Sequence, residues 1–316
     1  VDVNLAVTEK PTGNLSLGAG YSSSDKVSFQ AGIKQENVFG SGNYLGLELN
    51  TSKTNRTIVL TSVDPYFTVD GISRTLDVYY KTTSPSSDLS TDYSLINKGL
   101  GTRFGVPFSE LDTVYFGIAY DGTEIVPGTN LPNAYAEYSK QFGASSFGIP
   151  ISVGWSRDSR DSALVPNSGS YQRLFTEASS LGDSKYVKAV GQYQLYIPLN
   201  KKFTFALNTE VNWGKGLSGQ PYPVFKNVKG GGLGTVRGFE YNTLGPIEEA
   251  TGLYLGGPKK LNLNAELYVP FPGAGTDKTL RLYGFVDVGN VYGENDPYKL
   301  NELRSSAGIG ISWISP

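Results

Sequence analysis

FTFALNTEVNW, residues 203–213, alternates without a break. Phe203, Phe205, Leu207, Val211 and Trp213 fall on one face, and Thr204, Asn208, Glu210 and Asn212 on the other. Period-two alternation over about ten residues describes a β-strand with one apolar and one polar surface. The pattern recurs. Leu261, Leu263, Ala265, Leu267 and Val269 oppose Asn262, Asn264, Glu266 and Tyr268. Leu15, Leu17, Ala19 and Tyr21 oppose Ser16, Gly18, Gly20 and Ser22, while Ala307, Ile309, Ile311 and Trp313 oppose Ser306, Gly308, Gly310 and Ser312. About fourteen such runs begin near residues 14, 27, 43, 56, 72, 94, 111, 148, 170, 185, 202, 260, 279 and 304.

The polar faces carry Ser, Gly, Asn and Gln, which suits a wet or loop-filled interior better than the dry core of a soluble sandwich. The connections also alternate in kind. PFSELD (107–112), IPLNKK (197–202) and PFPGAGTDK (270–278) are compact, whereas 83–93, 121–147 and 214–260 are long and polar. Short turns at one rim and long loops at the other predict an all-β, antiparallel transmembrane barrel of outer-membrane type with about fourteen strands. Aromatic residues near run ends, Tyr66, Phe67, Tyr196, Trp213, Tyr268, Phe271 and Trp313, fit interfacial girdles. Residues 133–142, NAYAEYSKQF, break the alternation and predict a short helix after Pro132, capping the barrel mouth.

Composition removes whole classes of chemistry. The 316 residues include no Cys, His or Met. Disulfides, thiolate nucleophiles, His-based triads and His or Cys metal sites are thereby excluded, so no enzyme, metal site or cofactor is expected. With 27 basic and 29 acidic residues, nothing implies a polyanionic partner, and a nucleic-acid role is unsupported. No run of 18 apolar residues predicts a transmembrane helix.

The segment 214–260 interrupts the pattern and contains KGGGLGTVRGFEYNTLGP (229–246). A loop this long inside a regular fold is usually functional. Six glycines between Gly230 and Gly245 permit tight packing, and Arg237 brings one permanent planar charge. In TLRLYGFVDVGNV (279–291), Arg281, Tyr283, Phe285 and Asp287 share the polar face, and Glu266 lies on the polar face of the preceding strand. Consecutive strands pair, so Glu266 and Asp287 occupy one lumen wall. If the loop folds inward, Arg237 can bridge both. Two readings stay open at this level: an ion-pair network lining a wide lumen, or a pin that fixes the loop and sets a conformational state. An acid–base pair is disfavoured, because the arginine would hold both carboxylates ionised. The glycine run lacks the GK[ST] ending of a phosphate cradle. RDSRDS (157–162) and ENDP (294–297) read as solvated acidic loops.

At these residues the chain resembles the BamA family of outer-membrane β-barrel assembly factors, a superfamily of POTRA domains plus a barrel with a VRGF loop. VTEKPTGNLSLGAGY (7–21), VSFQAGIKQENVFGSG (27–42), DPYFTVDG (64–71), VRGFEYNTLGP (236–246), AELYVPFP (265–272), FVDVGNV (285–291) and SAGIGISWISP (306–316) carry the similarity over nearly the whole chain. VRGF followed by F-x-D-x-G on a strand is its most specific part. The resemblance implies that Arg237, within the loop motif Val236, Gly238 and Phe239, locks onto Glu266 and Asp287. It implies insertion of unfolded outer-membrane β-barrel proteins into the outer membrane of a Gram-negative bacterium without a cofactor. Outer-membrane lipids and, in the full-length protein, accessory assembly lipoproteins would be further partners. The seam strand would be about 14–22, with Leu15 and Leu17 outside and Gly18 and Gly20 leaving an edge that opens easily. A protein-translocation pore or passive channel of the same superfamily is the alternative. Residues 1–12 would be a remnant of the last POTRA domain and linker, and 13–316 the barrel with its long loop 214–260. The family's barrel has sixteen strands, so the last two are expected to be missing here.

Overall fold

The computed structural model describes residues 11–22, 26–84, 93–128, 131–273 and 279–314. The expected remnant domain at 1–12 lies, but for its last two residues, outside the described residues. The chain runs through β1 (Gly13–Ser22), β2 (Lys26–Gln35), β3 (Tyr44–Thr51), β4 (Asn55–Asp64), β5 (Ser73–Thr83), β6 (Ser94–Pro107) and β7 (Asp112–Val126). Then come α1 (Asn133–Phe142), β8 (Ser145–Asp158), β9 (Gly169–Gly182), β10 (Tyr186–Pro198) and β11 (Thr204–Gly216). A small hairpin, β12 (Ile247–Glu248) with β13 (Leu253–Tyr254), precedes β14 (Lys259–Pro270), β15 (Leu280–Tyr292) and β16 (Arg304–Trp313). Fourteen strands form one sheet in chain order, β1 to β11 and then β14 to β16, every neighbouring pair antiparallel as the alternating runs predict. The sheet is open between β1 and β16 among the described residues.

Alternation decides the two surfaces. Leu263, Leu267 and Val286 point outward and stay exposed, while Asn262, Asn264 and Asp287 point inward and are buried by the long loop. Apolar side chains outside and polar ones inside are the arrangement a bilayer favours, since the outer face meets hydrocarbon and the inner face meets water and the loop. Most of the expected aromatics stand on the outside, including Tyr66, Phe67, Trp213 and Trp313. Tyr196 and Tyr268 do not. In the register Tyr196 pairs with Ala206 and Ala206 with Glu266, which puts Tyr196 on the inner face. The Tyr268 hydroxyl bonds Glu266 there. Their place in the alternation, not their nearness to a strand end, sets where they point.

The predicted helix is present, and it packs against the strand ends and the long loop. Tyr135 and Tyr138 of α1 form a small core with Tyr93, Ile125 and Val224. The long connections are shorter than the sequence suggests, because β7 extends to Val126, β8 starts at Ser145, and the longest loop is confined to 217–258.

Candidate functional site

The loop between β11 and β14 folds onto the inner wall of β14 and β15. Within it, Val236 is 0% exposed and packs with Leu244, Val291 and Phe239. Gly238 follows Arg237 with φ +86°, a left-handed conformation that a side-chain-bearing residue enters at a cost.

Arg237 is held by three groups. Its Nε donates to Asp287 Oδ2 at 2.7 Å and its Nη2 to Asp287 Oδ1 at 2.6 Å, a two-pronged pair. Its Nη1 lies 2.5 Å from Glu266 Oε1. Its guanidinium stacks on the Phe285 ring, 3.8 Å from the centroid. The backbone N–H of Arg237 also donates to Asp287 Oδ2, at 2.9 Å, so the carboxylate grips main chain and side chain together. Burial alone would lower the arginine's pKa, but the hydrogen bonds and charges of Asp287 and Glu266 hold it above the ordinary value, and it stays charged.

The sequence groups Arg237, Glu266 and Asp287, and the structure places them together. Asn264 escapes that reading. This residue pairs with Asp287 in the β14–β15 register, and its Nδ2 donates to Asp287 Oδ1 at 2.7 Å and to the Thr235 carbonyl at 2.6 Å. Asn262 donates in turn to Asn264 Oδ1 at 2.6 Å. The Tyr268 hydroxyl occupies the second oxygen of Glu266. Asp287, 0% exposed, thus accepts four hydrogen bonds. The only signal for these neighbours is the polar alternation that puts Asn262, Asn264 and Tyr268 on the face of Glu266. Gly289 completes the F-x-D-x-G spacing for a steric reason: a Cβ there would stand 3.1 Å from Val236 Cγ2 and 2.8 Å from the Leu261 carbonyl.

The same loop is tied to the opposite side of the lumen. Lys226 forms an ion pair with Asp121 of β7, and Tyr79 of β5 donates to Asp121 at 2.8 Å. At its base, Glu294 accepts the backbone N–H groups of Gly216 and Tyr222, each at 2.8 Å, and the Tyr298 hydroxyl donates to the Asn212 carbonyl at 2.6 Å. Glu248 of the small hairpin accepts the Ala134 N–H of α1 at 3.0 Å, close to the positive end of the helix. Glu294 is therefore a structural tether, not the solvated acid that its sequence context suggests. Similarly, Asp158 pairs with Arg160 at 2.8 Å, and Asp161 accepts the N–H groups of Asn167 and Ser168. Among the described residues no group of three acids is arranged to hold a metal.

The residues expected at a seam are placed differently. Leu15 and Leu17 are 68% and 78% exposed on the outer face, and Gly18 and Gly20 stand opposite Gln30 and Ser28 on the inner one. Residues 13–21 of β1 are all exposed; a cavity of about 850 Å³ lies between its inner face and the loop, with Gly20 and Gln30 on one side and Lys229 and Tyr241 on the other.

Residues 37–316 match the family described as the Omp85 superfamily domain. The outer membrane protein assembly factor BamA of Neisseria meningitidis serogroup B is 36% identical across all of this chain. The BamA of Nitratidesulfovibrio vulgaris is 27% identical, again across all of it. The chain spans 44% and 39% of those two relatives' lengths. Among solved structures, BamA from Haemophilus ducreyi lacking POTRA domains 1–3 superposes with a TM-score of 0.87 at 25% identity. That match covers 98% of this chain and 65% of the other.

Proposed function

This chain belongs to the Omp85 superfamily, resembling its BamA members from end to end, and from that premise we propose that it is the membrane part of a machine that inserts other β-barrel proteins into the outer membrane. Its place is the outer membrane of a Gram-negative bacterium. Its substrates are unfolded outer-membrane β-barrel chains, and its work is conformational, with no bond made or broken and no cofactor used. Accessory lipoproteins would act through the remainder of a longer chain.

The observation that supports this reading most is the uneven treatment of the sheet by its own loop. Arg237, gripped by Asp287 and Glu266, fastens the loop to β14 and β15, and Lys226 fastens it to β7. The β1 side receives no such anchor among the described residues. An edge strand with three glycines and no loop packed against it is a part of the sheet open to pairing with another strand. In this reading Arg237, Glu266 and Asp287 are a conformational lock that keeps the rest of the barrel firm while the β1 edge opens.

The test is insertion of an unfolded outer-membrane protein into liposomes carrying the full-length protein, with and without Arg237→Ala, alongside ion conductance. Acceleration that falls at least several-fold in the variant, with low conductance, is expected. Equal acceleration by both proteins would remove the lock. A large steady conductance without acceleration would establish the alternative, a translocation pore, for which the open lumen beside β1 is the supporting feature.

A further inference from the structure

One buried cation in the lumen has no place in the lock. Arg281 stands on the inner face near the start of β15, at the rim that carries the short turns, and is 7% exposed. Its Nη1 donates to the Pro166 carbonyl at 3.3 Å, from the turn between β8 and β9, and its guanidinium lies 4.3 Å from the centroid of the Tyr268 ring. Its Nε has no partner among the described residues. Among those residues no carboxylate forms an ion pair with it; Glu266, on the same face of β14, has its oxygens taken by Arg237 and Tyr268. A buried guanidinium with an Nε donor unused among the described residues is suited to meet an oxyanion.

The space beside Arg281 suits such an anion. A pocket of about 170 Å³ has Arg281, Lys201, Lys202, Asn167, Asn200 and Thr204 on its polar side, and Tyr268, Val269 and two prolines complete its lining. Lys201 and Lys202 sit exposed in the turn between β10 and β11, and neither ammonium meets a carboxylate among the described residues. Asn200 Oδ1 accepts the N–H groups of Lys202 and Phe203 at 2.8 and 2.9 Å, which fixes the shape of that turn. Three cations thus border one small space, with no negative group among the described residues that line it.

We propose that this pocket binds a phosphate-type oxyanion, with Arg281 supplying a fork of donors from the inside and Lys201 and Lys202 closing over it from the rim. Guanidinium geometry matches phosphate oxygens, and the two ammonium groups add charge without fixing direction. The phosphate has two possible sources, free in solution or carried by an anionic phospholipid headgroup. The turn's flanks, Leu199 and Phe203, are exposed apolar side chains at the membrane rim, so a lipid reaching over the turn would keep its acyl chains against them. The inference stands apart from the assembly reading and needs only the barrel.

The experiment uses the full chain refolded in detergent and in lipid nanodiscs. Inorganic phosphate, titrated against sulfate-free protein in neutral detergent, is expected to raise the melting temperature saturably, and Arg281→Gln to weaken the midpoint at least tenfold. In nanodiscs of mixed phosphatidylcholine and phosphatidylglycerol, native mass spectrometry counts the lipid retained on the protein. Phosphate saturation without a phosphatidylglycerol preference identifies a free oxyanion. Preferential retention of phosphatidylglycerol, lost in Arg281→Gln, identifies the headgroup. Should Arg281→Gln not fold, shown by loss of the heat-modifiable electrophoretic shift, the double variant Lys201→Gln with Lys202→Gln is read instead, with a several-fold weakening expected. No saturable phosphate effect and no lipid preference, or effects equal in wild type and variants, overturns the site.

Discussion

The two sides of this sheet are built from the same alternation and end up physically unlike. Along β14 and β15 the inner face is buried, with Asp287 at 0% and Asn262 at 1% exposure, and twelve residue pairs hold the two strands in register. Along β1 and β2 the inner-face residues Ser16, Gly18, Gly20 and Gln30 are exposed, and β2 pairs with β3 over only seven residues. Nothing in the strand pattern itself distinguishes the two. The difference comes from the loop, which spends its arginine, its asparagine partners and its small apolar cluster on one wall. One sheet can therefore be packed firmly along one wall and left bare along another, with local stability set by what lies inside it.

The largest expected effect is at the centre of the firm wall. Asp287→Ala removes the acceptor of four hydrogen bonds and leaves Arg237 with Glu266 alone. Breaking a buried pair of this kind costs about 3–5 kcal/mol, read as a lower urea midpoint in lipid and rapid proteolysis within 217–258. If the midpoint holds, the wall owes its firmness to the strands and not to the loop. Next, Gly289→Ala drives a methyl group toward Val236 Cγ2 and the Leu261 carbonyl. It should cost about 2 kcal/mol, as overpacking in a close-packed site does, while leaving every charge in place. It therefore separates seating of the loop from charge pairing.

A smaller loss, about 1–2 kcal/mol, is expected for Lys226→Gln, because Tyr79 continues to donate to Asp121 after the ammonium is gone. This variant tests whether the β7 tether matters independently: combined with Asp287→Ala, its effect should add, since the two anchors share no partner. The smallest effect is predicted on the other side. Gly18→Ala places its Cβ 3.9 Å from Gln30 Cβ, an ordinary contact. It should stabilise β1 by about 0.5–1 kcal/mol and slow client insertion in the liposome assay. An unchanged insertion rate would mean that the flexibility of β1 is not what limits assembly.

Much of this architecture is legible in the residues themselves. Phe203 to Trp213 and Leu261 to Val269 announce strands with a wet face, and the strand starts follow, because alternation is a local property that tertiary contacts do not override in a sheet with one lipid face. Arg237, Glu266 and Asp287 are legible as partners, since a lone arginine in a glycine-rich loop beside two inward carboxylates has few other options. Asn264 is not, as an asparagine on a polar face looks the same whether it meets water or a carboxylate. The tethering role of Glu294 is hidden for a similar reason. The donors to its carboxylate, the N–H groups of Gly216 and Tyr222, are more than seventy residues away, and backbone donors leave no mark in a sequence. Tyr196 and Tyr268 teach the reverse: nearness to a strand end suggests a girdle, but the face a residue occupies decides where its ring goes.

The most direct measurement is amide hydrogen exchange of the protein in lipid, resolved by strand. The account predicts that β14 and β15 amides are protected orders of magnitude more strongly than those of β1, and that Asp287→Ala erases most of the gap by loosening β14 and β15. Protection of β1 equal to that of β14 in the unaltered protein would contradict it.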